Sequence, residues 1–270
     1  MPVITKITVQ KKLTDRYNIF TDDGNGEKYA FSVDEDVLIK YQLKKGMELD
    51  ELGITEIFYQ DDIRKAYQKA VQYLAPRMRS ELEVRQHLQK KEIEEPIINE
   101  VIHKLNSHQF LNDKEFAYCY VRTQMNTTDK GGGLIIQELK EKGINPEIIE
   151  VAILEYPFED QLEKAMTLAI KHIQKNNKDA SLVVKQKLGQ FLVRKGYSLD
   201  IIQKTNSSLD FQKEENDELA TLRKQGDKLI HKFRNYQGYE FSQKLKQSLY
   251  RKGFAMELID RYLSEIQEDE

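Results

Sequence analysis

Apolar and polar positions alternate from Ile4 to Gln10, Tyr17-Asn18-Ile19-Phe20 follows, and a run of turn formers, Asp22-Asp23-Gly24-Asn25-Gly26, precedes Tyr29-Ala30-Phe31-Ser32-Val33. A period of about two residues belongs to half-buried strands, and Asp-Gly or Asn-Gly steps supply the positive φ of hairpin turns, so the pattern predicts a small antiparallel meander. A short helix is expected next, opening near Asp34, with Val37, Leu38 and Tyr41 on one face and its end near Gly46. From Asp61 onward the period becomes helical. Ile63, Ala66, Tyr67, Ala70, Val71 and Leu74 fall at i, i+3, i+4, i+7, i+8 and i+11, and Leu162, Ala165, Met166, Ala169, Ile170 and Ile173 repeat those offsets, which predicts one buried stripe on each helix.

A longer regularity overlies the helical one. Four segments share a leucine, a lysine three residues later, then Gly or Glu, an apolar residue, and two more apolar residues four positions on. They begin at Leu88, Leu139, Leu192 and Leu249, and their lysines, Lys91, Lys142, Lys195 and Lys252, lie 51, 53 and 57 residues apart. Such periods belong to helical repeats. Each Lys-Gly step reads as a helix end, with a cation facing the negative end of the dipole and a glycine free to turn left-handed. Ser80-Glu81-Leu82-Glu83 reads as a capping box, while Pro96 and Pro146 fit the first turn of third helices. The expected architecture is therefore mainly α: a small β-rich domain over residues 1–60, then three-helix-bundle repeats over 61–111, 112–157, 158–212 and 213–270. A bundle of about 50 residues buries a marginal core alone, so neighbouring repeats are expected to stack into an elongated, curved solenoid.

Composition agrees with this reading: 13 glycines and 5 prolines leave few helix breakers, and 32% charged residues with a mean hydropathy of -0.67 suit thin apolar stripes. No apolar run approaches the roughly 18 residues of a membrane span, and Met1 to Thr14 lacks a signal-peptide core, so a cytoplasmic protein without membrane contact is expected. The single cysteine, Cys119, lies in the apolar stretch Ala117-Tyr118-Cys119-Tyr120-Val121 and is expected to be buried and inert. The net charge of -3 is an average. Residues 1–60 hold 8 basic and 11 acidic side chains; residues 158–270 hold 20 and 18, and four of those acids, Glu265, Glu268, Asp269 and Glu270, lie at the end, leaving +6 (20 − 14) for the rest.

Candidate chemistry is sparse. His87, His103, His108, His172 and His231 show no metal-ligand spacing, and Gly131-Gly132-Gly133 lacks the Lys-Ser/Thr of a phosphate loop, so a loose linker into a second helix is expected there. No serine occupies a nucleophile elbow. The sequence predicts neither an enzyme nor a bound cofactor or metal. A tandem helix-turn-helix DNA binder is the alternative, but the third helices carry Glu94, Glu95, Glu100, Glu147, Glu150, Asp200, Glu257 and Asp260 where phosphates would lie. Basic residues gather instead at the ends of second helices and in the first bend: Arg77, Arg79, Arg85, Lys140, Lys142, Arg194, Lys195, Arg251 and Lys252. These are the candidate contacts to a partner's acidic surface, or to DNA phosphates in a weak, salt-sensitive, nonspecific way.

Arg77-Met78-Arg79-Ser80-Glu81-Leu82, then Phe110-Leu111-Asn112-Asp113 with Phe116-Ala117 and Tyr120-Val121, then Glu138-Leu139-Lys140-Glu141-Lys142-Gly143-Ile144, in this order and spacing, resemble the RecX family of bacterial recombination regulators. The resemblance covers residues 61–270 and is strongest over the first two repeats. A fourth repeat and an N-terminal extension are similar to low-GC Gram-positive members, whereas shorter members have about three repeats. It implies a non-enzymatic modulator that lies in the groove of the RecA–DNA filament, bridges protomers, and blocks recombinase and co-protease activities; a monomer is expected. Together with the recurring cations, it points to Arg77, Arg79, Lys142, Lys195 and Lys252 as leading contacts.

Overall fold

The structure, a computed structural model, describes residues 1–11, 14–176, 179–209 and 215–268. The expected boundary at 212/213 and the tail acids Asp269 and Glu270 lie outside the described residues. The chain divides into two compact units, residues 1–117 with 142–148, and residues 118–141 with 149–270.

The first unit opens with the predicted meander, β1 (Val3–Val9), β2 (Arg16–Asp22) and β3 (Lys28–Asp34), antiparallel in that order. Ile19 on the central strand pairs with Ile7 and Phe31, and Ile4, Ile19, Phe31 and Val33 bury one face against Val37, Leu43, Leu49 and Ile57. Helix α1 (Glu35–Lys40) is capped by the Asp34 carboxylate, which accepts from the Asp36 amide. It stops six residues short of the expected Gly46, because Gln42 turns left-handed (φ 49°) and the Leu43 amide closes back on the Leu38 carbonyl.

Helix α2 (Glu51–Leu74) starts ten residues before the helical period is readable. Its first turns carry Ile54, Thr55, Ile57, Phe58 and Tyr59, residues at home in strands, but the Asp50 cap on the Gly53 amide fixes the start. One helix then serves two cores: Ile57 packs with the sheet, while Ile63, Ala66 and Ala70 pack with α3 (Glu81–Gln89) and α4 (Glu95–Ser107) through Val84, Leu88, Ile98, Val101 and Leu105. Between the cores runs a buried ionic network. Asp61 accepts from Arg16 at 2.9 and 3.2 Å and from the Asp34 amide at 2.8 Å, and Asp34 accepts from Arg64 at 3.1 Å and Gln68 at 2.9 Å. The capping box at Ser80–Glu83 is present, and Pro96 sits in the first turn of α4.

The remaining helices follow in threes: α5 (Asp113–Thr127), α6 (Gly132–Glu141) and α7 (Pro146–Ala152), the last continued by a short 3-10 turn; α8 (Phe158–Lys175), α9 (Ser181–Arg194) and α10 (Leu199–Ser208); and α11 (Glu215–Phe233), α12 (Gly238–Arg251) and α13 (Met256–Glu268). In the second unit, Ala165, Leu168, Leu188, Leu192 and Ile201 form one core and Leu219, Leu222, Leu245, Leu249 and Ile259 another. The repeated signature has a physical meaning. Leu88, Leu139, Leu192 and Leu249 are all fully buried, and the amides of Ile93, Tyr197 and Phe254 return to the carbonyls of Leu88, Leu192 and Leu249, the six-to-one closure of a Schellman motif. Two expectations fail in detail. Ile170 lies 46% exposed, off the buried stripe of α8. Cys119 is half-buried rather than buried, because the buried stripe of α5 runs through Phe116, Ala117 and Val121.

Candidate interaction surface

The Lys-Gly steps do more than end helices: each seats on the second helix of the repeat before it. Gly143 (φ +76°) lies so close to Leu82 that a Cβ would stand 2.8 Å from the Leu82 side chain. Beside it Lys142 Nζ reaches Glu83 Oε1 at 3.3 Å and lies 6.0 Å from the Phe116 ring centre. Gly196 (φ +85°) is tighter still, since a Cβ would meet the Leu134 backbone nitrogen at 2.4 Å. The Gly131 and Gly133 amides donate to the carbonyls of Lys195 and Gly196 at 2.7 and 2.9 Å. The glycine triplet is thus no loose linker; its missing side chains admit the next repeat's helix end. Gly253 (φ +86°) seats against Val183, 2.7 Å from a built Cβ, and Lys252 Nζ donates to Gln225 Oε1 at 3.0 Å.

A second point of attachment recurs at each joint. The first amide of α3, of α6 and of α9 has no intrahelical acceptor. Glu81 N donates to Asp113 Oδ1 at 2.8 Å, Gly132 N to Gln161 Oε1 at 3.0 Å, and Ser181 N to Glu218 Oε1 at 2.9 Å. In each case the acceptor belongs to the first helix of the following repeat. The sequence reading passes over Asp113, Gln161 and Glu218, which look like ordinary polar residues near helix starts; their only signal is a position 30 or 35 residues before the step glycine. The first repeat breaks the glycine rule. Glu92 takes the same left-handed conformation (φ 59°) with its side chain exposed, and the side chain of Lys91 before it is exposed as well.

Electrostatics at the first joint are tuned by these contacts. Burial pushes the Glu83 carboxyl up, but Arg77, the Ser80 amide and Lys142 outweigh it and hold Glu83 below the usual carboxylate range. Burial raises Asp113, and although the Glu81 amide opposes this, the nearby Glu81 and Glu83 charges add to the rise. His87, stacked on Tyr73 at 3.9 Å, is lowered by burial and by Lys91, Arg79 and Lys90.

The nine candidate cations therefore fall into two groups. Arg77 pairs with Glu83 at 2.9 Å, Arg79 lies 4.1 Å over the Tyr73 ring, and Arg85 binds Glu81, Glu95 and Asn99. Lys142 holds the first joint at Glu83, Lys252 donates to Gln225 of α11 in its own repeat, and Lys195 lies 5.8 Å from the Phe191 ring centre. Lys140, Arg194 and Arg251 are exposed and make no hydrogen bond or ion pair among the described residues. Arg194 and Arg251 stand at equivalent places, one residue before the step lysine. Among the described residues no group of three His, Cys, Asp or Glu side chains is placed to hold a metal, and no helix is long and apolar enough to cross a membrane.

Comparison with known proteins fits this organisation. A model of the regulatory protein RecX N-terminal domain matches residues 2–50, and models of the first and second RecX three-helix domains match 66–105 and 112–153. The model of the third matches twice, at 159–205 and 216–263. Regulatory protein RecX of Bacillus subtilis (strain 168) is 45% identical over 265 residues, 98% of this chain and 99% of that protein. The protein of the same name from Bacillus licheniformis is 46% identical over the same shares. A crystal structure of regulatory protein RecX superposes with a TM-score of 0.70 at 36% identity, covering 77% of this chain and all of that one. That of RecX from Lactobacillus salivarius gives 0.54 at 40% identity over 57% of this chain and 99% of the other. Matched domain by domain and over nearly the whole length of its relatives, the chain belongs to the RecX family of regulatory proteins.

Proposed function

We propose that this protein is a non-enzymatic inhibitor of the RecA recombinase that binds along the RecA–DNA filament and limits its recombinase and co-protease activities. The observation that carries this reading is the domain-by-domain match to regulatory protein RecX. The repeat architecture supports it, because several similar modules on one chain engage several filament protomers with high effective concentration. Lys140, Arg194 and Arg251 are the primary contacts, since their cations are not engaged elsewhere among the described residues. Arg77, Arg79, Arg85, Lys142, Lys195 and Lys252 contribute through whatever edge their structural contacts leave open. DNA is a secondary, nonspecific contact, and the protein acts as a cytoplasmic monomer.

The test is RecA ATPase and strand exchange on single-stranded DNA with substoichiometric protein. Inhibition is expected, weakened about thirtyfold by the pair Arg194→Glu and Arg251→Glu, since each lost contact to an acidic partner is worth on the order of 1 kcal/mol. Unchanged rates at saturating binding refute the proposal. A gel shift without RecA at two salt concentrations separates it from direct DNA recognition, which predicts a sequence preference and a steep salt slope in the absence of the recombinase.

A further inference from the structure

The first unit holds a cavity of about 230 Å³ where α1, α2 and α4 meet, and hydrogen-bond donors crowd its lining. Lys104, in the last turn of α4, is half-buried, and its ammonium makes no hydrogen bond or ion pair among the described residues. Nor is it needed to cap the helix, since the carbonyls of Lys104, Leu105 and Asn106 already accept from the amides of His108, Phe110 and Gln109. Withdrawing a cation from water without a partner is costly, so this one marks the place of an anion. Its neighbours are suited to the same task. The Tyr67 hydroxyl lies 2.9 Å from His108 Nδ1, and by donating there it leaves the ring proton on Nε2, free to donate in turn. Lys40 Nζ spends one of its three protons on Gln60 Oε1 at 2.8 Å. Arg64, 5.9 Å from the Tyr67 ring centre, uses Nε on Asp34 and one terminal nitrogen on Asp36, which leaves the other terminal nitrogen open among the described residues.

We infer that this cavity binds a small phosphate ester, its oxyanion held by Lys104, His108, Lys40 and Arg64. Phosphate oxygens accept several charge-assisted hydrogen bonds at once, which is what donors converging from three helices supply. Lys40, Arg64 and Lys104 against Asp36 leave the lining at +2 (3 − 1), and the balance stays positive, +1 (3 − 2), when Asp34 behind Arg64 is counted. The volume falls below the roughly 300–1,000 Å³ of pockets for drug-sized ligands, so the organic part of the ester is short; Val37 and the Tyr67 ring give it an apolar wall. The surroundings turn away an extended polyanion, since residues 1–60 carry 11 acidic against 8 basic side chains, whereas a compact ester meets only the lining. Once bound, it ties α1 of the sheet core and α4 of the first bundle to the helix that serves both cores. The inference stands apart from filament binding and does not rest on it.

The test uses the full chain at constant pH and ionic strength, with inorganic phosphate and glycerol 3-phosphate as probes and chloride as the control. The His108 ring resonance, assigned with His108→Gln, is expected to shift saturably with each probe at millimolar concentration, and the thermal midpoint to rise with it. Lys104→Gln is expected to bind at least about tenfold more weakly, because a charge-assisted hydrogen bond is lost, while keeping the circular dichroism of the wild type and its midpoint in chloride. No saturable shift in the wild-type chain, an equal shift in chloride, or equal affinity in Lys104→Gln overturns the inference. So does a shift produced by a single-stranded oligonucleotide and by neither probe, because the site then reads a strand.

Discussion

Replacing Gly196 with alanine separates two roles that one glycine plays. Any L-residue at φ +85° pays a left-handed strain of about 1–2 kcal/mol. Gly46, at φ +86° with nothing within 4 Å of a built Cβ, carries that strain and nothing else. At Gly196 the new Cβ stands 2.4 Å from Leu134 N and 2.5 Å from Leu134 Cβ, against an ordinary contact of about 3.5–4.0 Å. The obstacle is mostly backbone, so the helix end has to retreat by about 1 Å, at an overpacking cost of about 1–3 kcal/mol. Retreat also loosens the bonds from Gly131 N to Lys195 O and from Gly133 N to Gly196 O, each worth on the order of 1 kcal/mol. Gly196→Ala is therefore expected to cost about 3–5 kcal/mol, and Gly46→Ala about 1–2 kcal/mol. Urea unfolding followed by helical circular dichroism measures both, and hydrogen exchange at the Gly131 and Gly133 amides reports the joint directly. Equal losses in the two variants, with exchange at those amides unchanged, refute the idea that the step glycine is needed for stacking.

Asp61→Ala leaves the Arg16 guanidinium, only 12% exposed, without its carboxylate and is expected to cost about 3 kcal/mol; a thermal midpoint within error of wild type contradicts the buried network. Asp61 is raised by burial but lowered more by Arg16, Lys65 and the Asp34 amide, and Glu83 is depressed likewise. Their stabilisation is complete above the unfolded values of about 3.9 and 4.3 and is lost as pH falls through the lower folded values. Asp113, raised in the fold, works in the opposite sense, since its contribution disappears as pH rises through its folded value. Urea midpoints from pH 6 to 3 are expected to fall, and to fall less steeply in Asp61→Asn; parallel curves refute the assignment. Lys142→Ala is expected to cost about 1 kcal/mol while Arg251→Ala stays within about 0.5 kcal/mol of wild type. Comparable losses in both would erase the distinction between joint cations and free ones.

The repeat was legible because a signature of buried leucine, lysine and glycine has to recur wherever the same helix end closes on the same core. What a period cannot display is the neighbour. Gly143, Gly196 and Gly253 are readable as local helix terminators, and they are that, but the reason glycine alone fits is a helix belonging to another repeat. Gly131-Gly132-Gly133 looked like a linker for the same reason, since absent side chains carry no pattern. The start of α2 was hidden because Ile54, Ile57 and Phe58 follow the demands of the sheet core they pack on. The nine cations formed one class as letters; distance divides them, Arg77 and Lys142 meeting at Glu83 while Arg194 and Arg251 stand free among the described residues.

The sharing of α2 between two cores has a consequence for how the first unit comes apart. Ile57 is buried with the strands and Ile63 with α3 and α4, and Asp61 between them binds Arg16 of β2. Melting the strands strands the first half of the helix without a packing partner, and an isolated helical half of about twelve residues is marginal in water. The meander and the first bundle are therefore expected to share one cooperative transition. A deletion that trims the chain back to the start of the helical period would fray the first bundle as well, and a loss of function in such a truncation reports on both.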